Sequence, residues 1–316
     1  SNQKAQHTPV LINTIVNNIQ PQGTWRDGTF GAGGYSRALL ESGAVKVFGI
    51  DKDPNVIKLS QDLSEEFSGR FSFFLGKFSK VEEFVDKAIV DGVIFDLGVS
   101  SMQLDQAKRG FSFRHDGPLD MRMGEGGLSA ADIVNSFEEE EIADILFQYG
   151  EEKSSRLIAK KIVSARPITS TLSLSTIIHG CFNNRTDTKT HPATKSFQAL
   201  RIAVNDELAE LVRGLEAAER ILKPGGELVV VTFHSLEDRI VKKFLRSRSI
   251  GKGNANRHSP TSENVSPSFI LKSSKPYLVK DNERQSNPRS RSAKLRIAIR
   301  SDADPFSPQR KKLGLP

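Results

Sequence analysis

Thr24-Trp-Arg-Asp27-Gly-Thr-Phe-Gly31-Ala-Gly33-Gly34-Tyr35-Ser36 is the stretch whose reading decides the fold. Thr24–Asp27 reads as a short strand, residues 28–34 as a glycine-rich turn, and Tyr35–Ser42 as a helix. Glycines let a backbone bend sharply and approach a ligand closely. Asp51 closes the next apolar strand, Val45–Ile50, where an acid can accept two hydrogen bonds from ribose hydroxyls. Loop and acid together point to a nucleoside-containing cofactor. The dinucleotide fingerprint Gly-x-Gly-x-x-Gly fails at its third glycine, since the chain reads Gly31-x-Gly33-Gly34-x-Ser36. Asp27, just before the loop, suits a cationic ligand better than a pyrophosphate. S-adenosylmethionine carries ribose, an ammonium and a sulfonium, and no phosphate.

Outward from this stretch the strand–helix rhythm continues. Pro54–Phe67 reads as a helix with Pro54 in its first turn, Phe71–Leu75 as a third strand, Lys80–Lys87 as a short helix and Gly92–Phe95 as a fourth strand. Such alternation means βαβ units and a parallel sheet. After Asp96 the rhythm stops. Residues 106–127 are rich in Gly, Arg and Asp, and residues 129–180 carry several helical patterns. Residues 200–222 form the clearest helix: Leu200, Val204, Leu208, Leu211, Leu215, Ala218 and Leu222 recur at helical spacing until Pro224-Gly225-Gly226. Glu227–Phe233 reads as a fifth strand, Ser235–Arg246 as a helix, residues 247–267 and 281–291 as loops, and Ser292–Arg300 as a last strand on the sheet's far side. The expectation is an α/β fold, a doubly wound sheet with a helical domain inserted after the fourth strand. Residues 1–105 and 206–316 would form the discontinuous sheet domain and residues 106–205 the insert.

Composition excludes several classes. The 316 residues are 37% hydrophobic and 26% charged, ample for a core, so a wholly disordered chain is excluded. No apolar run approaches the roughly 18 residues of a membrane span. The first residues lack a charged head followed by an apolar stretch, so no secretory signal is expected and the protein reads as intracellular. Cys181 is the single cysteine, which excludes an internal disulfide and a cysteine-built zinc site. The six histidines form no His-x-x-x-His pair, so no metal is expected. The net charge of +7 is unevenly placed: residues 1–238 hold 26 Lys and Arg against 33 Asp and Glu, residues 239–316 hold 19 against 5. An acidic-leaning body with a basic C-terminal quarter suggests RNA or DNA rather than a membrane surface.

Longer motifs narrow the reading. Thr29–Ser36, Phe95-Asp-Leu-Gly-Val-Ser-Ser-Met-Gln-Leu-Asp105, Arg109-Gly-Phe-Ser-Phe113, Gly117-Pro-Leu-Asp-Met-Arg-Met123 and Tyr149-Gly-Glu-Glu152 resemble, in order, the RsmH (MraW) family of small-subunit rRNA methyltransferases. So do His191-Pro-Ala-Thr194, Phe197–Ile202, Phe233-His-Ser-Leu-Glu-Asp-Arg239 and Asn287–Arg296. The matches run from His7-Thr-Pro-Val10 to Arg296, nearly the whole chain. The resemblance implies a class I (Rossmann-like) methyltransferase fold whose insert recognises substrate. It implies S-adenosylmethionine as cofactor, S-adenosylhomocysteine as product, and N4-methylation of a decoding-region cytidine, position 1402 in the usual rRNA numbering of 16S-type rRNA. Naked rRNA and the assembled small subunit both remain open as substrate. So does the oligomeric state, a homodimer included. A bacterial cytoplasm is the expected location, ahead of an organellar matrix. Family cofactor contacts fall on Gly33, Gly34, Tyr35, Asp51, Phe78, Asp96 and Gln103. Two positions depart: the family usually has His at Tyr35 and Pro at Met102. A contact specific to a histidine side chain is therefore not carried over to Tyr35, whereas a backbone contact is.

The chemistry adds candidates. The cytosine N4 lone pair is delocalised into the ring, so an acceptor bonded to an N4 hydrogen would favour the nucleophilic nitrogen, and a base can take the proton. Asp96, ending the fourth strand, is first a cofactor contact by the resemblance, with acceptance from the N4 hydrogen as its sharper, catalytic role. Ser100 and Ser101 read equally as caps of a following helix. Phe111, Phe113, Phe197 and Phe233 are stacking surfaces or core. Arg109, Arg114, Arg122 and Arg201 hold phosphates or pair with Asp105, Asp116 or Asp120. Arg289, Arg291, Lys294 and Arg296 are better RNA candidates. His234, Ser235 and Asp238 line the cleft at the fifth strand's end, or Ser235 caps a helix with Asp238 as capping-box partner. A hydrolase triad there lacks a Gly-x-Ser-x-Gly elbow. Two further readings stand beside the methyltransferase: an NAD-type oxidoreductase on the same sheet, and a non-enzymatic RNA-binding assembly factor.

Overall fold

The computed structural model describes residues 8–83, 89–97, 113–122, 126–182, 191–249 and 266–306, the side chains of residues 207 and 289 excepted. The chain divides into two compact units, Ser1–Gly98 with Leu208–Pro316, and Val99–Glu207.

The first unit is built on one eight-stranded sheet. Strands β1 (Gly23–Asp27), β2 (Ala44–Asp51), β3 (Phe71–Leu75), β4 (Val90–Asp96) and β5 (Leu222–Thr232) run parallel. β8 (Lys294–Arg300) lies antiparallel on β5, and both β6 (Phe269–Leu271) and β7 (Tyr277–Leu278) pair with β8. The order is β3-β2-β1-β4-β5-β8-β6, with β7 on β8. This is a doubly wound, Rossmann-like sheet with an antiparallel strand added beside β5. Chain order reverses between β1 and β4, and ligands of such sheets bind beyond the carboxyl ends of the strands at that switch. Val93, Ile94 and Phe95 of β4 and Leu228 to Val231 of β5 are wholly buried. Central parallel strands are covered on both faces, which is why their apolar runs are unbroken.

Several expectations need correction. The clearest helix is two: α8 (Thr194–Asn205) and α9 (Glu207–Ile221), with Asp206 between them at φ 51. Apolar spacing cannot register such a break, and Asp is among the few residue types that enter the left-handed region readily. Leu222 already belongs to β5, and Pro224–Gly226 lie within that strand, where its pairing with β4 shifts register. Lys80–Lys87 does not begin as expected: a 3-10 turn spans Phe78–Glu82, and residues 84–88 lie outside the described ones. Residues 281–291 are no open loop, since α11 (Asp281–Ser286) and a 3-10 turn (Pro288–Ser292) occupy them. β8 is not the sheet's last strand. β6 and β7, of three and two residues, are too short to show periodicity.

In the second unit α4 (Ala130–Ser136), α5 (Glu139–Gly150), α6 (Ser155–Ala165), α7 (Thr171–Gly180) and α8 pack on a core of Leu119, Met121, Ile133, Ile142, Leu146, Ile158, Ile162, Leu174, Ile178, Phe197 and Leu200. α4 opens with a capping box in which Ser129 and Asp132 satisfy each other's backbone N–H. Among the described residues no helix is long and apolar enough to cross a membrane.

Candidate active site

Three carboxylates border the glycine loop of the sheet unit. Asp27 ends β1 and is fully buried. Its Oδ1 accepts from the Thr29 N–H at 3.2 Å and its Oδ2 from the Ser36 hydroxyl at 2.7 Å. Burial pushes this carboxyl up to about 7, and the negative charges of Asp96 and Asp51 push the same way. Asp51 ends β2, half-buried, and ties the loop to the strand end. Its Oδ2 accepts from the Gly31 N–H at 2.7 Å and its Oδ1 from the Asp53 N–H at 2.9 Å. Each oxygen engages one of these donors, so each retains acceptor capacity toward a ligand. Burial raises the Asp51 carboxyl above its ordinary range. Asp96 ends β4, half-buried, and its N–H donates to the Thr29 hydroxyl at 2.6 Å, tying the end of β4 to the loop.

The loop needs its glycines for two distinct reasons. Gly33 sits at φ 81, in the left-handed region that side chains avoid, and is the N-cap of α2 (Gly34–Glu41). Gly34 has no room for a side chain: a Cβ there would lie 2.2 Å from Pro9 Cγ. Tyr35 follows, 4% exposed, and its hydroxyl donates to the Val10 carbonyl at 2.7 Å. Burial raises the phenol well above its ordinary value, and Asp96 adds to this both by its charge and as a hydrogen-bond partner. The Leu11 N–H donates to Glu283 Oε1 of α11 at 2.7 Å. Segment 9–11 is thereby laid across the loop. Phe78 opens the 3-10 turn after β3, with its ring 5.3 Å from that of Phe95 and close against Gly214.

The chemistry of this donor set fits a cationic nucleoside. Asp51 offers a carboxylate for ribose hydroxyls, and Asp51 and Asp96, joined by Asp27 once it ionises, make the surroundings of the loop negative. That favours a sulfonium or ammonium and opposes a pyrophosphate. Among the described residues no three His, Cys, Asp or Glu side chains are placed to hold a metal ion.

Other sequence candidates are placed as follows. Gln103, Arg109, Phe111, Ser100 and Ser101 lie outside the described residues. Phe113 is half-buried in the second unit, stacked on His191 at 4.3 Å and edge-on to Phe197 at 5.3 Å. Phe197 is 4% exposed, a core residue and not a stacking surface. Phe233 packs on the core of the first unit. Arg122 is held by Asp120, Nε to Oδ1 at 2.6 Å, the pairing its motif allowed. His234 is half-buried and is itself the N-cap of α10 (Ser235–Arg248). The capping box expected of Ser235 and Asp238 is not formed. Asp238 instead accepts two hydrogen bonds from Arg296, at 2.8 and 3.1 Å, with Lys294 Nζ 3.7 Å away. Arg296 is therefore a half-buried structural partner, because a bidentate guanidinium outcompetes a local backbone N–H for a carboxylate. Arg291 is exposed on the 3-10 turn after α11. Sequence reasoning gave Thr29, Ser36, Pro9 and Val10 no role. The motif His7-Thr-Pro-Val10 was the one available signal for the last two.

A carboxylate at the end of β2, a glycine turn at the switch point and an acid at the end of β4 are the arrangement of a methyltransferase-type α/β protein. The chain belongs to the MraW methylase family, whose model matches residues 4–301. It is 53% identical to a ribosomal RNA small subunit methyltransferase H of Roseobacter denitrificans, covering 98% of this chain and 94% of the relative. Proteins of the same description from Cereibacter sphaeroides and Dinoroseobacter shibae are each 51% identical, covering 99% of this chain and 96% and 95% of the relatives.

Proposed function

We propose that this protein methylates the N4 amine of a decoding-region cytidine in small-subunit rRNA, position 1402 in the usual numbering, with S-adenosylmethionine as donor. The observation that carries the reading is the set of carboxylates Asp27, Asp51 and Asp96 around a glycine loop at the sheet's switch point. The relatives' description as rRNA methyltransferases supports the substrate class. A pyrophosphate would face these same carboxylates, which disfavours the NAD-type oxidoreductase.

When bound, S-adenosylmethionine supplies an electrophilic methyl group on a sulfonium. In this reading Gly33 and Gly34 bring the backbone against it, and Asp51 accepts from the ribose hydroxyls while its other lone pairs stay on Gly31 and Asp53. Phe78 borders the adenine, and Gln103 joins the cofactor set by resemblance. Tyr35 acts through its backbone and through the hydroxyl that fixes segment 9–11, in place of the family's histidine. Asp96 accepts from an N4 hydrogen of the cytosine, which localises the nitrogen lone pair, and then takes the proton. Its N–H bond to Thr29 holds the carboxylate in register with the loop. The target base is flipped or unpaired so that N4 is reachable. The unit Val99–Glu207 serves as the substrate-recognition domain. Arg109, Phe111 and Arg122 of that unit, with His234, Arg289 and Arg291 of the sheet unit, contact RNA, and Phe113 supports that surface from beneath.

The test is direct. The protein is incubated with methyl-labelled S-adenosylmethionine and, in parallel, naked rRNA and small subunits from a strain lacking the enzyme, and the rRNA nucleosides are analysed by mass spectrometry. Label in N4-methylcytidine at the decoding-region position is expected. Label in another nucleoside, or none, refutes the assignment.

A further inference from the structure

We infer that the exposed imidazole of His191, backed by Phe113, is a stacking platform for a base of single-stranded RNA, with Arg114 and His179 at its rim. The inference rests on the proposed action on RNA and names a contact that reading does not include.

The geometry is a column of rings running out of the second unit. Phe197, 4% exposed, anchors it in the core. The Phe113 ring meets Phe197 edge-on, at 5.3 Å and 80°. His191 lies on Phe113 at 4.3 Å and 28°, a stacked pair. Phe113 is half-buried with these two neighbours, whereas His191 is exposed. The surface a base can reach therefore passes from Phe113 to His191, and Phe113 becomes its support.

The imidazole is also held in place. Its Nδ1 accepts from the Ala193 N–H at 3.0 Å, which fixes the ring plane and leaves the proton on Nε2. A preorganised ring loses less freedom on binding than a mobile one. His179, exposed at the end of α7, has its ring 6.3 Å away. Partial burial, His179 and Arg114 all disfavour the charged form of His191. A neutral ring beside an exposed arginine combines a flat face for a base with a cation for the adjoining phosphate, the pairing that single-stranded nucleic acids require.

The alternative is a purely structural histidine that caps the turn leading into α8. Two substitutions in the full-length protein separate the roles. His191→Asn keeps an acceptor for the Ala193 N–H and removes the ring. His191→Phe keeps the ring and removes the acceptor. Affinity for a fluorescein-labelled single-stranded decoding-region RNA is measured by anisotropy, beside melting temperature and affinity for S-adenosylhomocysteine. The platform predicts about tenfold weaker RNA binding for His191→Asn. Its melting temperature and its S-adenosylhomocysteine affinity should be unchanged, and His191→Phe should bind RNA nearly as the wild type does. A His191→Asn protein with wild-type RNA affinity, or a His191→Phe protein as weakened as His191→Asn, overturns the platform. If the wild type binds the RNA and methylates small subunits in those cases, the proposed function stands without it. A wild type that does neither overturns both.

Discussion

The carboxylates at the ends of β1, β2 and β4 and the arginines of the C-terminal quarter are both dense charge groups of the sheet unit, and the fold treats them in opposite ways. Asp51 and Asp96 are half-buried at strand ends, Asp51 accepting from two backbone N–H groups and Asp96 tied by its own N–H to the Thr29 hydroxyl. Several arginines of the basic quarter turn inward instead. Arg248 donates to Glu219 at 2.6 Å, with side chains 3% and 1% exposed, and stacks on Phe244 at 3.8 Å. Arg300 donates to the carbonyls of Glu219, Ser268, Ser301 and Ala303. Arg296 holds Asp238. Three of the positive charges that suggested nucleic acid, Arg248, Arg296 and Arg300, therefore stitch β8 and its neighbours to α9 and α10. A charge count tells how many groups there are, and burial tells what they do.

That contrast can be broken at either end. The largest effect belongs to the inward arginines. Arg248→Ala leaves Glu219 buried without its guanidinium partner and should cost about 3–5 kcal/mol in denaturant unfolding. Arg291→Ala, on an exposed turn, should stay within about 0.5 kcal/mol. Equal losses would erase the distinction between structural and functional arginines. Next comes Asp96→Asn, which keeps the shape and removes the base. Single-turnover methylation should fall by about a hundredfold or more, while S-adenosylmethionine affinity in calorimetry changes far less. A parallel fall in both makes Asp96 a cofactor ligand alone.

Asp51→Ala should weaken S-adenosylmethionine binding by about 1.5–3 kcal/mol for each ribose hydrogen bond lost. It also frees the Gly31 N–H, so circular dichroism is needed to show the loop unit still folded. Unchanged affinity would remove Asp51 from the cofactor. The smallest effect falls on the 3-10 turn after α11, where Arg291 is exposed. Neutralising Arg289 and Arg291 together should weaken binding to any RNA of similar length and flatten the salt dependence by about one unit of slope per lost phosphate contact. An unchanged slope would take this turn out of the RNA site.

What the sequence revealed follows from the range of each interaction. The strand–loop–helix at Thr24–Ser42, Asp51 and Asp96 were legible because each is local: a periodic strand, a glycine turn, an acid at a strand end. The contacts that give these residues their geometry were not. Thr29 bonds to an amide 67 residues away, and Tyr35 bonds to Val10 across the loop. Ser235 and Asp238 had the spacing of a capping box, yet Arg296, 58 residues on, takes the acid. Local propensity loses such contests when a tertiary partner offers two charged hydrogen bonds. Phe113 was found by its motif, but that its ring is covered by His191 required the folded second unit.

The most direct test of the account is calorimetry of S-adenosylmethionine against S-adenosylhomocysteine across neutral pH. The buried carboxyl of Asp27 stands at about 7 against an ordinary 3.8, so in the free protein it holds its proton up to neutrality. Between these values folding takes up a proton, and the Asp27 contribution to stability declines as pH rises through this window and levels off above about 7. A sulfonium bound among Asp27, Asp51 and Asp96 favours the carboxylate and releases that proton. The affinity of S-adenosylmethionine should therefore rise between about pH 6 and pH 8, with proton release visible in buffers of different ionisation enthalpy, while that of the uncharged thioether product rises less. Affinities that run parallel for the two ligands over this range, or binding of NAD in their place, would contradict a loop built for a cationic methyl donor.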